Sequence, residues 1–252
     1  MSQPEINIKP SPAELARAAA ERFVSTVSGA QRQGSSARIA LSGGSTPRAL
    51  FTLLASAEYA DKLDWQAVDI FWGDERTVPP DHADSNYRMA HETLLSKLPV
   101  PEARIHRMRG EIDPVAAAAD YSLVLQQVFE LTEAGAIPRF DLILLGLGPD
   151  GHTASLFPHT SALDVRDQLV VANPVPQQQT TRLTLTVPVL LAAAQVHFLV
   201  AGSDKAPAVH LALEGEWNPT ETPSQYLRQA NGKVTWLLDS AAATHLQQSP
   251  TG

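Results

Sequence analysis

Residues 141–158 constrain the fold of this chain more than any other part of its sequence. The apolar run Leu142–Leu145 is followed at once by a glycine-rich turn that carries Asp150 and His152. A short apolar run bounded by turn residues is typical of a strand buried on both faces of a parallel sheet. Ligands bind at the carboxyl edge of such sheets, so we expect these two side chains at a binding edge. The alternative is an ordinary tight turn with a capping Asp and a solvated His.

The same turn contains a glycine pattern that is typical of dinucleotide-binding proteins. Gly146, Gly148 and Gly151 match G-x-G-x-x-G. A true fingerprint needs a long helix directly after the turn, but Pro158 would end any helix begun there within about two turns. Asp150 would also place a negative charge where the pyrophosphate sits. We therefore expect no dinucleotide at this turn.

Short β-branched runs alternate with alanine- and leucine-rich stretches along the rest of the chain. Helices are predicted at residues 12–27, 47–56, 86–95, 114–131, 205–213 and 241–247, with Ser11 and Asp113 as N-caps of the first and fourth. Strands are predicted at residues 38–41, 68–72, 141–145, 169–172, 183–187, 196–201 and 234–238. This order predicts an α/β fold with a doubly wound, mostly parallel sheet and helices on both faces. Residues 173–179 and 215–223 are expected to be loops, too short to link domains, so residues 1–252 are predicted to form a single domain.

Composition limits the classes of partner and site. The chain has 252 residues and no cysteine, which excludes disulfides and thiolate metal sites, and its eight histidines show no metal-ligand spacing. A formal charge of −8 argues against nucleic acid. The first twelve residues carry no apolar signal core, and no apolar run approaches the length of about 20 residues that a membrane span needs. A cytoplasmic protein with no metal is expected.

A second motif follows the strand predicted at residues 38–41. Ser42 leads into Gly43 and Gly44, which let a ligand approach the backbone closely, and Ser45 and Thr46 add hydroxyl groups. The N-terminus of the helix that follows adds free N–H groups and the positive end of its dipole. No P-loop lysine follows, so a nucleoside triphosphate is not expected. We interpret this loop as a phosphate cradle; the alternative is an ordinary helix cap.

Charged residues mark two further places. Asp74 and Arg76 lie in the segment Trp-Gly-Asp-Glu-Arg, directly after a predicted buried strand. Arg182 precedes a strand, and Lys205 stands at a predicted helix start, where a cation opposes the helix dipole and favours a nearby anion. The alternative for Asp74 and Arg76 is a solvated loop, and Arg182 or Lys205 taken alone is more typical of a surface charge.

Taken together, these segments resemble the 6-phosphogluconolactonase family. The similar segments are residues 41–47, 72–76, 84–87, 146–158, 182–186, 202–205 and 223–225. The resemblance implies a Rossmann-like α/β fold and no cofactor. It implies hydrolysis of 6-phospho-D-glucono-1,5-lactone to 6-phosphogluconate, the second step of the oxidative pentose phosphate pathway. The expected partner is this small lactone, with no nucleic acid and no membrane, and the expected state is a monomer or a weak homodimer.

The resemblance suggests roles for the charged residues. We expect His152 to be the general base that activates a water molecule, because histidine is the side-chain type best suited to exchange protons near neutral pH. Asp150 either orients that imidazole or the water, or serves the turn alone. Arg76 is the expected donor to the developing oxyanion. Asp74 is expected to bind sugar hydroxyls or to hold Arg76.

The phosphate of the substrate is expected on the backbone of residues 43–46. Arg182 and Lys205 are expected to clamp it, and Arg48 is a weaker third cation inside the same helix. A phosphate bound far from the reacting carbon supplies binding energy that positions that carbon.

Two other functions would use some of the same motifs. Glucosamine-6-phosphate deaminase/isomerase is similar at the same motifs but carries a Glu five residues after the His, where this chain has Phe157. An apolar ring cannot transfer protons, which favours the lactonase. A non-catalytic phosphosugar-binding domain would need the cradle but neither His152 nor Arg76.

Overall fold

The computed structural model describes residues 3–32, 34, 36–133 and 135–247. Its strands are β1 Glu5–Lys9, β2 Ala37–Leu41, β3 Val68–Trp72, β4 Asp74–Arg76, β5 Leu142–Leu145, β6 Val170–Val175, β7 Thr180–Leu185, β8 Gln195–Val200 and β9 Lys233–Asp239. Its α-helices are α1 Pro12–Arg32, α2 Ser45–Leu54, α3 Asn86–Thr93, α4 Pro114–Val128, α5 Val187–Ala192 and α6 Ala206–Leu213. Short 3-10 segments connect several of these elements.

Six strands form one parallel sheet, in the order β1-β9-β8-β5-β2-β3. Successive residues of a strand point to opposite faces, so the sheet has two apolar sides. Ile39 and Leu41 pack in one core with α1 and α2, whereas Ala40 and Ile143 pack in the other with α4 and α6. The predicted doubly wound fold with helices on both faces is therefore confirmed.

A small antiparallel sheet, in the order β4-β7-β6, lies beyond the carboxyl end of β3. Gly73 joins the two sheets, because its N–H donates to Leu41 and its carbonyl accepts from Leu185, each at 2.9 Å. The strand predicted at 183–187 belongs to this sheet. The loop predicted at 173–179 was wrong in its first half, since Asn173 lies within β6 and only the 3-10 turn Pro176–Gln178 connects β6 to β7.

The helices bury apolar faces against the sheet. The predicted first helix is confirmed and extends to Arg32, with Leu15, Phe23 and Val27 buried along one side. Asp113 caps α4 as predicted, since its Oδ1 accepts the N–H of Ala116 at 2.9 Å. None of the described helices combines the length and the apolar character needed to cross a bilayer.

The ends of several elements differ from the prediction. Helix α2 begins at Ser45 rather than at residue 47, because Gly44 adopts φ 106° and turns the chain into the helix two residues early. The helix predicted at 241–247 is wrong: this segment forms turns. It is held by the Asp239 carboxylate, which accepts the N–H of Ala242 at 2.7 Å. Further along, the N–H of Leu246 bonds to the carbonyl of Ala243, only three residues earlier, at 3.1 Å, so the chain continues in turns.

Candidate active site

A cavity of about 290 Å³ opens at the carboxyl edge of the parallel sheet. It is bounded by the turns that follow β2, β5 and β8, and by β4. Its lining residues are Ser42, Gly43, Gly44, Asp74, Arg76, Asn86, Gly146, Leu147, Gly148, Pro149, His152, Ala154 and Lys205. The other candidates from the sequence lie outside this lining: Ser45, Thr46, Arg48, Asp150 and Arg182. The fold thus brings together residues from four motifs that are distant in the sequence.

His152 and Asp150 form a pair at the rim of this cavity. The Oδ1 of Asp150 lies 2.5 Å from the Nδ1 of His152 and 3.2 Å from its backbone nitrogen. Burial alone would raise the pKa of Asp150, but the hydrogen bond and the charge of His152 outweigh it, so that pKa is lowered. An ionised carboxylate accepts the proton on Nδ1, which assigns the tautomer and leaves the Nε2 lone pair available.

Two neighbours restrict the His152 ring further. The ring of Phe157 stacks on it with centroids 4.0 Å apart and an interplanar angle of 26°. On Gly148, an added Cβ would lie 2.0 Å from the Nδ1 of His152 and 2.6 Å from the Oδ1 of Asp150. Only glycine leaves room for the pair at this position, because contacts of that length do not occur between real atoms.

Asp74 is held at the cavity wall by two polar residues that the sequence did not single out as site residues. Its Oδ2 accepts the hydroxyl of Ser155 at 2.7 Å, and its carbonyl accepts the Nδ2 of Asn86 at 2.9 Å. The Oδ1 of Asn86 is buried and has no hydrogen-bond partner among the described residues. An added Cβ on Gly43 would lie 1.8 Å from this oxygen, so the glycine permits close approach. In the sequence, Asn86 could have been found from residues 84–87, which are one of the segments of the resemblance.

Glu75, next to Asp74 in the chain, points into the protein and organises the start of α3. Its carboxylate accepts the backbone N–H groups of Arg76, Asn86 and Tyr87 at 2.7–2.8 Å and the hydroxyl of Ser85 at 3.1 Å. Burial raises the pKa of Glu75 in spite of these bonds. The Glu75 carboxylate therefore fixes the backbone positions from which the side chains of Arg76 and Asn86 extend.

Arg76 and Arg182 face each other across the small sheet, since they are register partners in β4 and β7. Arg76 donates to the carbonyl of Asp84, and Arg182 donates to the side chain of Gln178 at 3.0 Å. Burial, followed by the charge of Arg76, lowers the pKa of Arg182. Two cations held side by side create a positive potential that favours an anion at this rim.

The backbone at the start of α2 has free donors. No side chain of the described residues caps this helix, and its first helical bond runs from the N–H of Arg48 to the carbonyl of Gly44 at 3.1 Å. The N–H groups of Ser45 and Thr46 precede that bond and have no helical acceptor. The side chain of Arg48 is exposed on the helix. This is the geometry by which helix N-termini bind phosphate.

Lys205 reaches the cavity from the opposite side. It ends the 3-10 segment Ser203–Lys205, one residue before the α-helix in which it was predicted to lie. The carboxylate of Asp239 accepts the N–H of Gly202 at 3.1 Å and so fixes the start of this turn. The Nζ of Lys205 lies 3.3 Å from the carboxylate of Asp204. The turn therefore holds Lys205 at the cavity that Gly146 and Gly148 also line.

Residues 10–236 match the family model of glucosamine-6-phosphate isomerases and 6-phosphogluconolactonases. The chain belongs to this family. All of the motifs that line the cavity lie within the matched range.

Individual members of the isomerase/lactonase family support the assignment. A 6-phosphogluconolactonase from Synechocystis is 46% identical over 210 residues, which cover 83% of this chain and 84% of the relative. The solved structure of a 6-phosphogluconolactonase from Trypanosoma cruzi superposes with a TM-score of 0.86 at 31% identity, and covers 98% of this chain and 99% of its own. A monomeric glucosamine-6-phosphate deaminase has a TM-score of 0.79 at 22% identity, covering 96% and 100%, and shares the fold.

Proposed function

We propose that this protein hydrolyses 6-phospho-D-glucono-1,5-lactone to 6-phosphogluconate. The observation that carries the proposal is the Asp150–His152 pair at 2.5 Å, at the rim of a cavity whose wall also includes Gly43, Gly44 and Lys205. A base oriented by a carboxylate, beside a phosphate-binding loop, suits a phosphorylated ester. Relatives named 6-phosphogluconolactonase support the same substrate.

His152 acts as the general base. Its Nδ1–H is held by Asp150, so Nε2 accepts a proton from water while the water oxygen bonds to C1 of the lactone. When the tetrahedral intermediate collapses, the bond from C1 to the ring oxygen breaks, and Nε2 returns the proton to that oxygen. The product is the open-chain acid, and the imidazole is neutral again. Asp150 is a positioning residue in this scheme.

Arg76 and Asp74 act on the other atoms of the sugar ring. Arg76 donates to the oxygen on C1 as negative charge develops there. Asp74, fixed by Ser155, accepts a sugar hydroxyl. The unpaired Oδ1 of Asn86 is a second acceptor for a hydroxyl at the same wall.

The phosphate occupies the start of α2. The backbone of residues 43–46 and the Ser42 hydroxyl donate to its oxygens, and Lys205 supplies the opposing positive charge. Arg182 does not line the cavity; it lies beside Arg76 at the rim and attracts the phosphate from there through its positive charge. Arg48 is exposed and contributes only a screened, longer-range attraction.

Phe157 argues against the isomerase reaction of the same family. It is buried and its ring covers one face of His152, where it cannot move a proton. The pairing of the His152 imidazole with the Asp150 carboxylate also argues against a domain that only binds phosphosugars, because binding alone does not need an oriented base. We further propose that residues 1–252 act as one domain, because both cores pack on a single sheet, and that the protein works in the cytoplasm as a monomer or weak homodimer.

The test adds purified protein to freshly prepared lactone and follows 6-phosphogluconate through a coupled dehydrogenase, with a blank that lacks the enzyme because the lactone also hydrolyses by itself. A parallel sample receives glucosamine 6-phosphate and is assayed for ammonia. We expect lactone turnover well above the blank and no ammonia. Ammonia release would favour the deaminase, and turnover equal to the blank would favour a binding domain.

A further inference from the structure

A second cavity, of about 390 Å³, lies at the opposite edge of the parallel sheet. We call it the amino-edge cavity, because Gln195 and Lys233, the first residues of β8 and β9, form part of its wall. Helix α1 covers it with Arg22, Thr26 and Gly29, which are spaced three or four residues apart and so share one helix face. This cavity has no lining residue in common with the candidate active site. Its size is that of a small-metabolite pocket.

Positive charge predominates around the amino-edge cavity. Arg22, Arg139 and Lys233 line it, against one lining carboxylate, Asp141. The adjacent Glu5 accepts from Lys233 at 2.7 Å and from the Nη1 of Arg22 at 3.3 Å, so two cations share one anion. Burial would raise the pKa of Glu5, but both cations outweigh it and lower that pKa, so the carboxylate is ionised. A positive surplus here runs against the net charge of −8 of the whole chain.

Arg139 carries the most available of these charges. Its side chain is exposed at the cavity, and no carboxylate pairs with it within the part of the chain that the structure describes. A guanidinium presents several donors in one plane, which suits a phosphate or a carboxylate.

His197 supplies an unpaired polar atom to the same wall. Its residue is 1% exposed, and its Nδ1 is buried without a hydrogen-bond partner among the described residues. Burial lowers the pKa of His197 to about 4, so its ring is neutral near pH 7. Its register partner on β9 is Thr235, whose Oγ1 is likewise buried and unpaired. A buried polar atom without a partner is costly, and of these two residues His197 is the one that lines the cavity, so it is the residue that indicates a polar occupant there.

We propose that the amino-edge cavity binds a small organic anion that carries a phosphate or carboxylate group. Arg139 and the surplus charge of Arg22 and Lys233 hold the anionic group, and His197 hydrogen-bonds a polar group of the same ligand. This site is independent of the proposed lactone hydrolysis, since it lies at the other edge of the sheet.

Gly29 offers a way to close the amino-edge cavity without touching its charges. An added Cβ there would meet only the Nη2 of Arg32, at 4.0 Å, so a larger side chain has open space. Leucine also favours helix more than glycine does. Gly29→Leu therefore fills the cavity, and Arg139→Gln removes the free cation. Lys205→Ala is the matched control, because it removes a cation from the active-site cavity alone.

The test titrates the folded protein with inorganic phosphate and, separately, with citrate, and follows the imidazole signals of His197 by NMR. We expect those signals to shift with at least one probe, with affinity about tenfold weaker in Arg139→Gln, abolished in Gly29→Leu and unchanged in Lys205→Ala. Comparison of the two probes tells phosphate from carboxylate ligands. Signals that stay fixed up to about 20 mM of both probes, or that respond equally in Arg139→Gln and wild type, would overturn the proposal.

Discussion

The buried imidazole of His197 makes the stability of this protein depend on pH in a measurable way. Burial is the main cause that lowers the pKa of His197 from 6.5 to about 4, and Arg22 and Lys233 add to it while Glu5 opposes it. In the unfolded chain the ring takes up a proton below its ordinary pKa, whereas the folded protein resists until about pH 4. The contribution to stability is therefore complete above pH 6.5 and is lost as the pH falls from 6.5 through 4.

The size of this loss follows from the two pKa values of His197. One pKa unit corresponds to about 1.4 kcal/mol, so at about pH 4.5 the group has cost roughly 2.5 kcal/mol of unfolding free energy. Urea unfolding of wild type and His197→Gln at about pH 7.5 and 4.5, in buffers without phosphate, isolates this contribution from all other titrations. We expect His197→Gln to gain roughly 2.5 kcal/mol relative to wild type between the two pH values. Exposed His245→Gln is the control and should follow wild type. An equal difference between wild type and His197→Gln at both pH values would show that the reasoning is wrong.

Three further substitutions test the packing and the roles of the site. Gly148→Ala should lower kcat at least about tenfold, because the added Cβ would collide with the His152 ring, and circular dichroism should show an intact fold. An unchanged kcat would mean that catalysis does not depend on this position of the His152 ring. Lys205→Ala should raise KM for the phosphorylated lactone about tenfold or more and leave turnover of unphosphorylated gluconolactone unchanged, and equal losses on both lactones would contradict a phosphate-binding role. Tyr121→Phe should lower the free energy of unfolding by about 1–3 kcal/mol, because the buried backbone N–H of Trp72 loses the Tyr121 hydroxyl that accepts it at 2.9 Å. An unaltered midpoint of urea unfolding would argue against that bond.

The strands of the large sheet could be predicted where they are apolar and buried. The runs Val68–Trp72 and Leu142–Leu145 are fully buried, and their sequences contain the pattern of a parallel strand. Strand Glu5–Lys9 was not predicted, although its alternation of isoleucines with polar residues is the pattern of a half-buried strand; it lies at the sheet edge, is only five residues long, and keeps every residue partly exposed. Strand Asp74–Arg76 consists of three charged residues, and only its pairing with β7 defines it.

The candidate site was predictable in its motifs and not in its contacts. The position of Asp150 two residues before His152 was compatible with a simple turn or with a carboxylate–imidazole pair, and only coordinates give the 2.5 Å separation. Asn86 was visible as a helix-start residue, but its contact with Asp74 depends on how the buried Glu75 orders that helix. The first contact depends on how one turn folds, and the second joins a helix to a strand twelve residues earlier, so the sequence pattern alone does not specify either of them.

The measurement that decides whether the His152 imidazole performs the chemistry is the turnover of His152→Ala on freshly made lactone, corrected for spontaneous hydrolysis. His159→Asn is the matched control, since His159 lies seven residues further on, is exposed, and has φ 60°, which Asn tolerates. Loss of a general base lowers kcat by about 10²–10⁴-fold. We expect a loss of that size in His152→Ala with little change in KM, and wild-type kcat in His159→Asn. Wild-type turnover in a folded His152→Ala protein would contradict the mechanism.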